Sequence, residues 1–142
     1  MLVHGMGFSP DHHTLVVVSI GSNSITFIDT ATNAVKHITY VGRSPLEAFF
    51  TPNGKEVWVT VRGQNYVSVL DGTTYQEKSR ITVPNGPGMT IFSPDGKYGY
   101  VCSSLTPETA LLITRLSGMF PKSAHSVRIL RQLQTASRSG LH

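Results

Sequence analysis

The sequence predicts an all-β protein made of about three copies of one four-stranded antiparallel unit. Three segments carry that reading: "FSPDHHTLVVVS" at 8–19, "FTPNGKEVWVTV" at 50–61 and "FSPDGKYGYVCS" at 92–103 are one motif written three times. Pro10, Pro52 and Pro94 are spaced by 42 residues and again by 42, and the same shift carries Phe8 onto Phe50 and Phe92, Asp29 onto Asp71, and Pro45 onto Pro87. A fixed period is the first feature to test in any chain, because it sets the whole architecture.

Within a unit the pattern is strand, turn, strand, turn. "TLVVVSI" and "EVWVTVR" are rich in β-branched and aromatic residues, which suit a pleated surface packed against a neighbour. "NYVSVLD" alternates, so that Val67 and Val69 share one face, with Ile25 and Phe27 in the same places one unit earlier. "EKSRITV" supplies a third strand and "LEAFFTP" a fourth, which places "HGMGFSPD" at the end of a unit. Asn53-Gly54 and Asp95-Gly96 supply the positive φ angles of tight turns, after a Pro that pre-sets its own φ. Asp29 and Asp71, each followed by a turn, are placed to accept backbone N–H groups.

A lone four-stranded unit cannot bury both of its faces and must stack on another. A period in the low forties with four strands per period therefore points to a β-propeller. "FSPDG" followed by "YGYV", "FTPNGKEVWVTV" and the "V-x-V-L/I-D" strand resemble the YVTN-type propeller repeats, whose members include YncE-like proteins, over residues 4 to about 108. The resemblance implies a WD40-like ring of seven blades and a binding or scaffolding role for an unidentified protein or small-molecule ligand. It also implies a periplasmic or extracellular full-length parent. Relatives of that family include lactonases and propellers that hold redox cofactors, so a remnant of such an enzyme is the alternative expectation.

Three units are too few for a ring, which needs roughly four to eight blades. The period predicts a fourth "FSPDG" from residue 134, where the chain reads "QTASR", and an Asp at 113, where it has Ile113. The expected organisation is a partial propeller over 1–108 and a basic tail over 109–142, irregular or carrying a short helix at "AHSVRILRQLQ". An out-of-frame origin explains the tail. Read from the third base of its first codon, "QLQTASRSG" permits "TPDGKPVW", and the triplet spanning Gln134 and Thr135 must encode Asp or Asn. Both ends of a partial stack expose strand edges and apolar faces, which favours self-association.

The composition, 39% apolar and 14% charged, is that of a globular chain. Residues 1–108 hold seven Lys and Arg against eight Asp and Glu, a net of −1, whereas 109–142 hold five basic residues and no acid. The pI near 9.5 thus belongs to the tail, and it does not make the protein a nucleic-acid binder. No window has the eighteen or so apolar residues of a membrane span, and "MLVHGMGFSPD" lacks the pattern of a secretory leader. Cys102, the single cysteine, cannot pair within the chain.

No acid and base constellation, phosphate loop, G-x-S-x-G elbow or metal signature emerges, so neither catalytic residues, metal ligands nor a cofactor are assigned. His12-His13 falls in a turn, and Asp11, Asp29, Asp71 and Asp95 recur with the repeat and read as turn builders. Glu47 and Glu56 have no evident partner. Cys102 shares a column with Val18 and Thr60 and reads as a small buried packing residue; Trp58 and Tyr100 share one with Val16 and read as inter-unit packing. His4, Arg43 and Arg62 break the pattern in loops and are the candidates for a ligand-facing end. The coding DNA read in the alternative frame after about residue 110 is expected to encode a fourth repeat, and sequencing all three frames checks it: a frame without the motif removes the out-of-frame origin.

Overall fold

The computed structural model describes residues 2–105, 108–113 and 126–131. Among them, twelve six-residue strands form three four-stranded antiparallel meanders. Sheet 1 runs β1 (Val3–Phe8), β2 (Thr14–Ser19), β3 (Ser24–Asp29) and β4 (Val35–Tyr40). Sheet 2 runs β5 (Pro45–Phe50), β6 (Glu56–Val61), β7 (Tyr66–Asp71) and β8 (Glu77–Thr82). Sheet 3 runs β9 (Pro87–Phe92), β10 (Tyr98–Ser103), β11 (Glu108–Ile113) and β12 (Ser126–Arg131). A single 3₁₀ turn, Arg62–Gln64, joins β6 to β7. No helix among the described residues is long and apolar enough to cross a membrane.

Three sequence expectations are corrected. The strand holding "HGMGF" opens a sheet rather than ending one: β1 pairs with β2, as β5 pairs with β6 and β9 with β10. The segment read as a short helix is strand over Ser126–Arg131, paired antiparallel with β11. Sheet 3 thereby crosses the expected boundary at 108, while 114–125 and 132–142 of the expected tail lie outside the described residues. Cys102 is exposed, not buried. Its column faces forward, away from sheet 2, and no described sheet follows sheet 3 on that side.

The sheets stack through their faces, with β1 against β5 and β5 against β9. Alternation along the middle strands decides which side chains meet. Val16, Val18, Ile25 and Phe27 of sheet 1 project forward onto Val57, Val59 and Leu70 of sheet 2, and all of them are fully buried. Phe27 stacks on Tyr75, with ring centroids 4.0 Å apart, and meets the edge of Phe50 at 6.4 Å. From the other face of sheet 2, Trp58, Val67 and Val69 meet Val101 and Phe92 of sheet 3. Trp58 lies edge-on to Phe92 at 5.2 Å and over Gly99, where an added Cβ would come within 2.7 Å of the indole.

Sheet geometry also repeats in a way the sequence conceals. In β1, β5 and β9 the register slips at the same place, so that His4-Gly5, Leu46-Glu47 and Gly88-Met89 each oppose one residue of the next strand. These are β-bulges, which twist a strand and re-aim its side chains. A second bulge recurs at Lys36 in β4 and Lys78 in β8. A charged lysine on an outer strand discourages pairing with another chain.

Trp58→Ala is expected to lower the unfolding free energy by about 3–5 kcal/mol, the usual cost of emptying a buried aromatic site, as read from urea unfolding. A loss below about 1 kcal/mol would mean that the sheet 2–sheet 3 junction does not hold the fold.

Candidate functional site

Each sheet presents loops at two ends. At the motif end lie the turns that follow β1, β5 and β9, and all three are built by one device. The hydroxyls of Ser9, Thr51 and Ser93 donate to the side-chain oxygens of Asp11, Asn53 and Asp95 at 2.5, 2.8 and 2.6 Å. The same hydroxyls accept the backbone N–H groups of Thr14, Glu56 and Tyr98 at 2.9, 3.1 and 3.0 Å. The left-handed position is filled by Gly54 and Gly96 at φ of 70° and 69°, and by His12 at 63°. Asp29 accepts the N–H groups of Ala31 and Thr32, and Asp71 those of Thr73 and Thr74.

These bonds hold the four aspartates below the ordinary carboxylate range. For Asp11 and Asp95 the chief cause is the hydroxyl of Ser9 or Ser93; for Asp29 and Asp71 it is the backbone N–H of Thr32 or Thr74. Their carboxylates are committed to their own turns, as their recurrence with the period predicts.

At the opposite, linker end sit the three residues singled out from sequence. The geometry gathers His4, Arg43 and Arg62 at this end but engages two of them structurally. His4 Nδ1 lies 3.1 Å from the Leu46 carbonyl oxygen and 3.4 Å from the Glu47 carboxylate. The Arg43 guanidinium donates to the Gly63 carbonyl at 3.1 Å, and its backbone N–H donates to Gln64 at 3.0 Å. Arg62 is exposed and, with Ile20, Ser44, Leu46, Gly63 and Leu105, lines a groove of about 390 Å³. The linkers are pinned by a repeated asparagine. Asn23 and Asn65, both left-handed, accept the N–H groups of Ser44 and Gly86 through their side chains at 3.0 Å. Glu56, unpaired in the sequence reading, accepts from Trp58 Nε1 at 3.1 Å and from Lys78 at 3.3 Å.

The larger cavity, about 620 Å³, opens at the motif end between sheets 1 and 2, and sequence reasoning missed it. Its polar lining includes Asp11, His13, Lys36, His37 and Asn53, with Tyr75 and Phe50 at the apolar side. Lys36 Nζ donates to the Thr14 hydroxyl at 3.0 Å. One repeat later, Lys78 in the equivalent bulge faces Glu56 instead and forms an ion pair. Lys36 is thus a cation set opposite a neutral partner in a cleft where its counterpart is neutralised. His37 Nε2 contacts the Gln76 amide at 3.1 Å, and its ring lies 6.0 Å from that of Tyr75. The signal that could have found this site is the pair Thr14 and Glu56, a break in the repeat at the position facing each lysine. No group of three or more His, Cys, Asp or Glu side chains placed to share a metal occurs among the described residues.

No protein-family profile matches the chain, and no curated protein does. Solved structures do. Hydrazine synthase of Kuenenia stuttgartiensis superposes with a TM-score of 0.75 at 31% identity, over 78% of this chain and 32% of that one. A candidate 6-phosphogluconolactonase of Bacteroides uniformis gives 0.70 at 18% identity, over 89% of this chain and 39% of its own. Hsv2 of Kluyvelomyces marxianus gives 0.56 at 15%, over 79% and 33%. The chain therefore spans between a third and two fifths of these propeller-like proteins. The fold is a partial β-propeller of four-stranded antiparallel blades.

The depressed aspartates predict an acid-side loss of stability. A carboxyl whose folded pKa lies below its unfolded value of about 3.9 contributes fully above that value, and the contribution disappears as pH falls through the folded one. Urea midpoints are expected to hold steady from pH 7 to about pH 5 and to fall below about pH 4. Asp29→Asn/Asp71→Asn removes the charge but keeps an oxygen facing the turn N–H groups, so its midpoint should already be lower at pH 7 and should fall less steeply in acid. An unchanged acid limb would show that these turns carry no pH-dependent stability.

Proposed function

We propose that this chain is a non-enzymatic binding module of the YVTN/YncE-like propeller type, derived from a periplasmic or extracellular parent. In this reading the cleft between sheets 1 and 2 takes a small anionic ligand. One observation carries it: Lys36, flanked by His13 and His37, faces the neutral Thr14 where the equivalent Lys78 faces Glu56. The carboxylate in the lining, Asp11, is already bonded to Ser9 and to the His13 N–H, and Asp29, which feels the Lys36 charge from outside the lining, is engaged by the N–H groups of Ala31 and Thr32. An anion in the cleft would meet one ammonium, two imidazoles and the polar rim of the "DGTT" turn, the donor set that suits phosphate or carboxylate oxygens. The Tyr75 and Phe50 rings supply an apolar wall of the kind small-molecule sites use to orient a ligand.

The second reading is an enzyme remnant, lactonase-like or associated with a redox cofactor. It draws support from the likeness to hydrazine synthase, at 31% identity, and to the candidate 6-phosphogluconolactonase. Against it stands the use of the recurring carboxylates as turn caps, which leaves them committed to backbone N–H groups rather than to a water or a lactone carbonyl.

Thermal unfolding with inorganic phosphate and with 6-phosphogluconate separates the readings. A ligand at about ten times its Kd stabilises the folded chain by about 1.4 kcal/mol, a rise of about 4 °C in Tm for a domain of this size. The rise is expected for at least one of the two anions and is expected to vanish in Lys36→Ala. Hydrolysis of a sugar lactone above the spontaneous rate, persisting through purification, would overturn the binding reading. No Tm rise with either anion would remove the cleft as its site.

A further inference from the structure

The two lips of the cleft between sheets 1 and 2 are equivalent turns. Asp11 stands on the sheet 1 lip and Asn53 on the sheet 2 lip, and both line the cavity. The turns are in contact: a Cβ added to Gly54 would lie 3.7 Å from the Pro10 ring.

Residues 11, 53 and 95 hold one position of the repeat and do one structural job. Each takes a hydroxyl, from Ser9, Thr51 or Ser93, on a single side-chain oxygen. The same oxygen accepts the backbone N–H of His13, Lys55 or Lys97, at 3.0, 3.0 and 3.1 Å. Aspartate and asparagine therefore build this turn alike. They differ in what is left over, a negative charge in one case and an uncharged amide in the other.

The lysine two residues on changes its company accordingly. Lys97 Nζ lies 3.6 Å from Asp95 Oδ2 and is paired within its own turn. Lys55, its equivalent, follows Asn53, and no carboxylate among the described residues pairs with it. Gly72 lines the cleft and donates its N–H to the Lys55 carbonyl at 2.8 Å, so the Lys55 backbone adjoins the cavity.

Turn construction does not explain asparagine at 53, since aspartate builds the same turn twice in this chain. Charge does. With Asn53 the lining holds one carboxylate, Asp11, against one ammonium, Lys36. With aspartate at 53 it would hold two carboxylates against that ammonium, and a like charge set against a ligand is the usual means of rejecting it. We propose, resting on the reading of this cleft as an anion site, that residue 53 determines its charge specificity: the neutral asparagine admits an oxyanion that the aspartate of the other two copies would exclude. Asp11 is then the one repulsive charge that remains in the lining, and removing it tightens binding.

Four chains test the assignment: wild type, Asp11→Asn, Asn53→Asp and Asp95→Asn. The three substitutions exchange the same two residue types at one position of the repeat, and Asp95 lies outside the lining. Each keeps an oxygen for the hydroxyl and the N–H of its turn, so all are expected to show the wild-type β-sheet circular dichroism at room temperature. Affinity is read by isothermal titration calorimetry with inorganic phosphate and with 6-phosphogluconate at an ionic strength of about 20 mM, where surface charges are weakly screened. It is expected to fall in the order Asp11→Asn, wild type, Asn53→Asp, by about threefold or more per added carboxylate, with Asp95→Asn equal to wild type. At about 0.5 M salt the first three are expected to lie within about twofold of one another, because screening removes an effect of charge and leaves an effect of structure. Absence of binding to the wild type with either probe overturns the anion reading and the assignment together. Wild-type binding that Asn53→Asp leaves unchanged, that Asp95→Asn weakens as much, or whose loss in Asn53→Asp persists at high salt overturns the assignment of residue 53 alone.

Discussion

Every feature of this protein follows from one constraint: a four-stranded sheet with apolar residues on both faces is unstable unless both faces are covered. Sheet 2 shows the constraint met. Val57, Val59 and Val61 are buried toward sheet 1, and Trp58 and Thr60 toward sheet 3, so β6 is buried along nearly its whole length. A continuous run of apolar and small residues is the pattern of a strand covered on both sides, whereas an alternating one belongs to a strand with one wet face. Each fully buried aliphatic side chain is worth about 1.5–3 kcal/mol relative to exposure. Removing one neighbour from sheet 2 would forfeit several such contributions at once, which is why stacked repeats are stable as arrays and not singly.

The motif that recurs three times does a different job from the residues that pack. Its Ser/Thr and Asp/Asn make a local set of hydrogen bonds that turns the chain tightly between the first and second strands of each sheet, with the Pro between them fixing its own φ. The partners of these side-chain bonds all lie within five residues of one another, so the turn is specified locally, and Thr30 and Gly72 of the following turns then bond to its carbonyls. That local specification lets it recur with only conservative changes while the packing side chains vary from Val16 to Trp58 to Tyr100. His12 is the exception: it takes a left-handed conformation that the other copies assign to Gly54 and Gly96, at a cost of about 1 kcal/mol for a side chain with a Cβ.

The strands and turns were legible in the sequence because their signals are local. "TLVVVSI", "EVWVTVR", "NYVSVLD", "EKSRITV" and "LEAFFTP" all became strands within one or two residues of the expected limits. The phase of the unit was not legible, since a meander read from a repeat has no marked beginning; pairing of β1 with β2 decides it. Bulges were invisible for a similar reason. His4, Leu46 and Gly88 share no residue type, and the slip they make is a property of the pairing rather than of the chain. Cys102 was misplaced because a column argument assumes every copy has the same neighbours. Of the site residues, Arg43 and Arg62 lie in connections as read, whereas His4 lies on β1 and not in a loop, and whether such a side chain is free or bonded to a carbonyl depends on coordinates.

In a repeat protein, residues that recur report construction, so chemistry must be sought where a recurring residue changes its company. Lys36 and Lys78 show why this criterion is sharper than looking for unusual residues. Both lysines occupy the same bulge and both reach back to the second strand of their sheet. In sheet 2 the reach ends on Glu56, and the pair is electrically closed. In sheet 1 it ends on Thr14, whose hydroxyl orients the ammonium without cancelling its charge. A scan for pattern-breaking cations selects Arg43 and passes over Lys36, although Arg43 is tied to a linker carbonyl and Lys36 stands at the mouth of a cleft. The informative break lies in the partner, one strand away, and the period is what makes that partner identifiable.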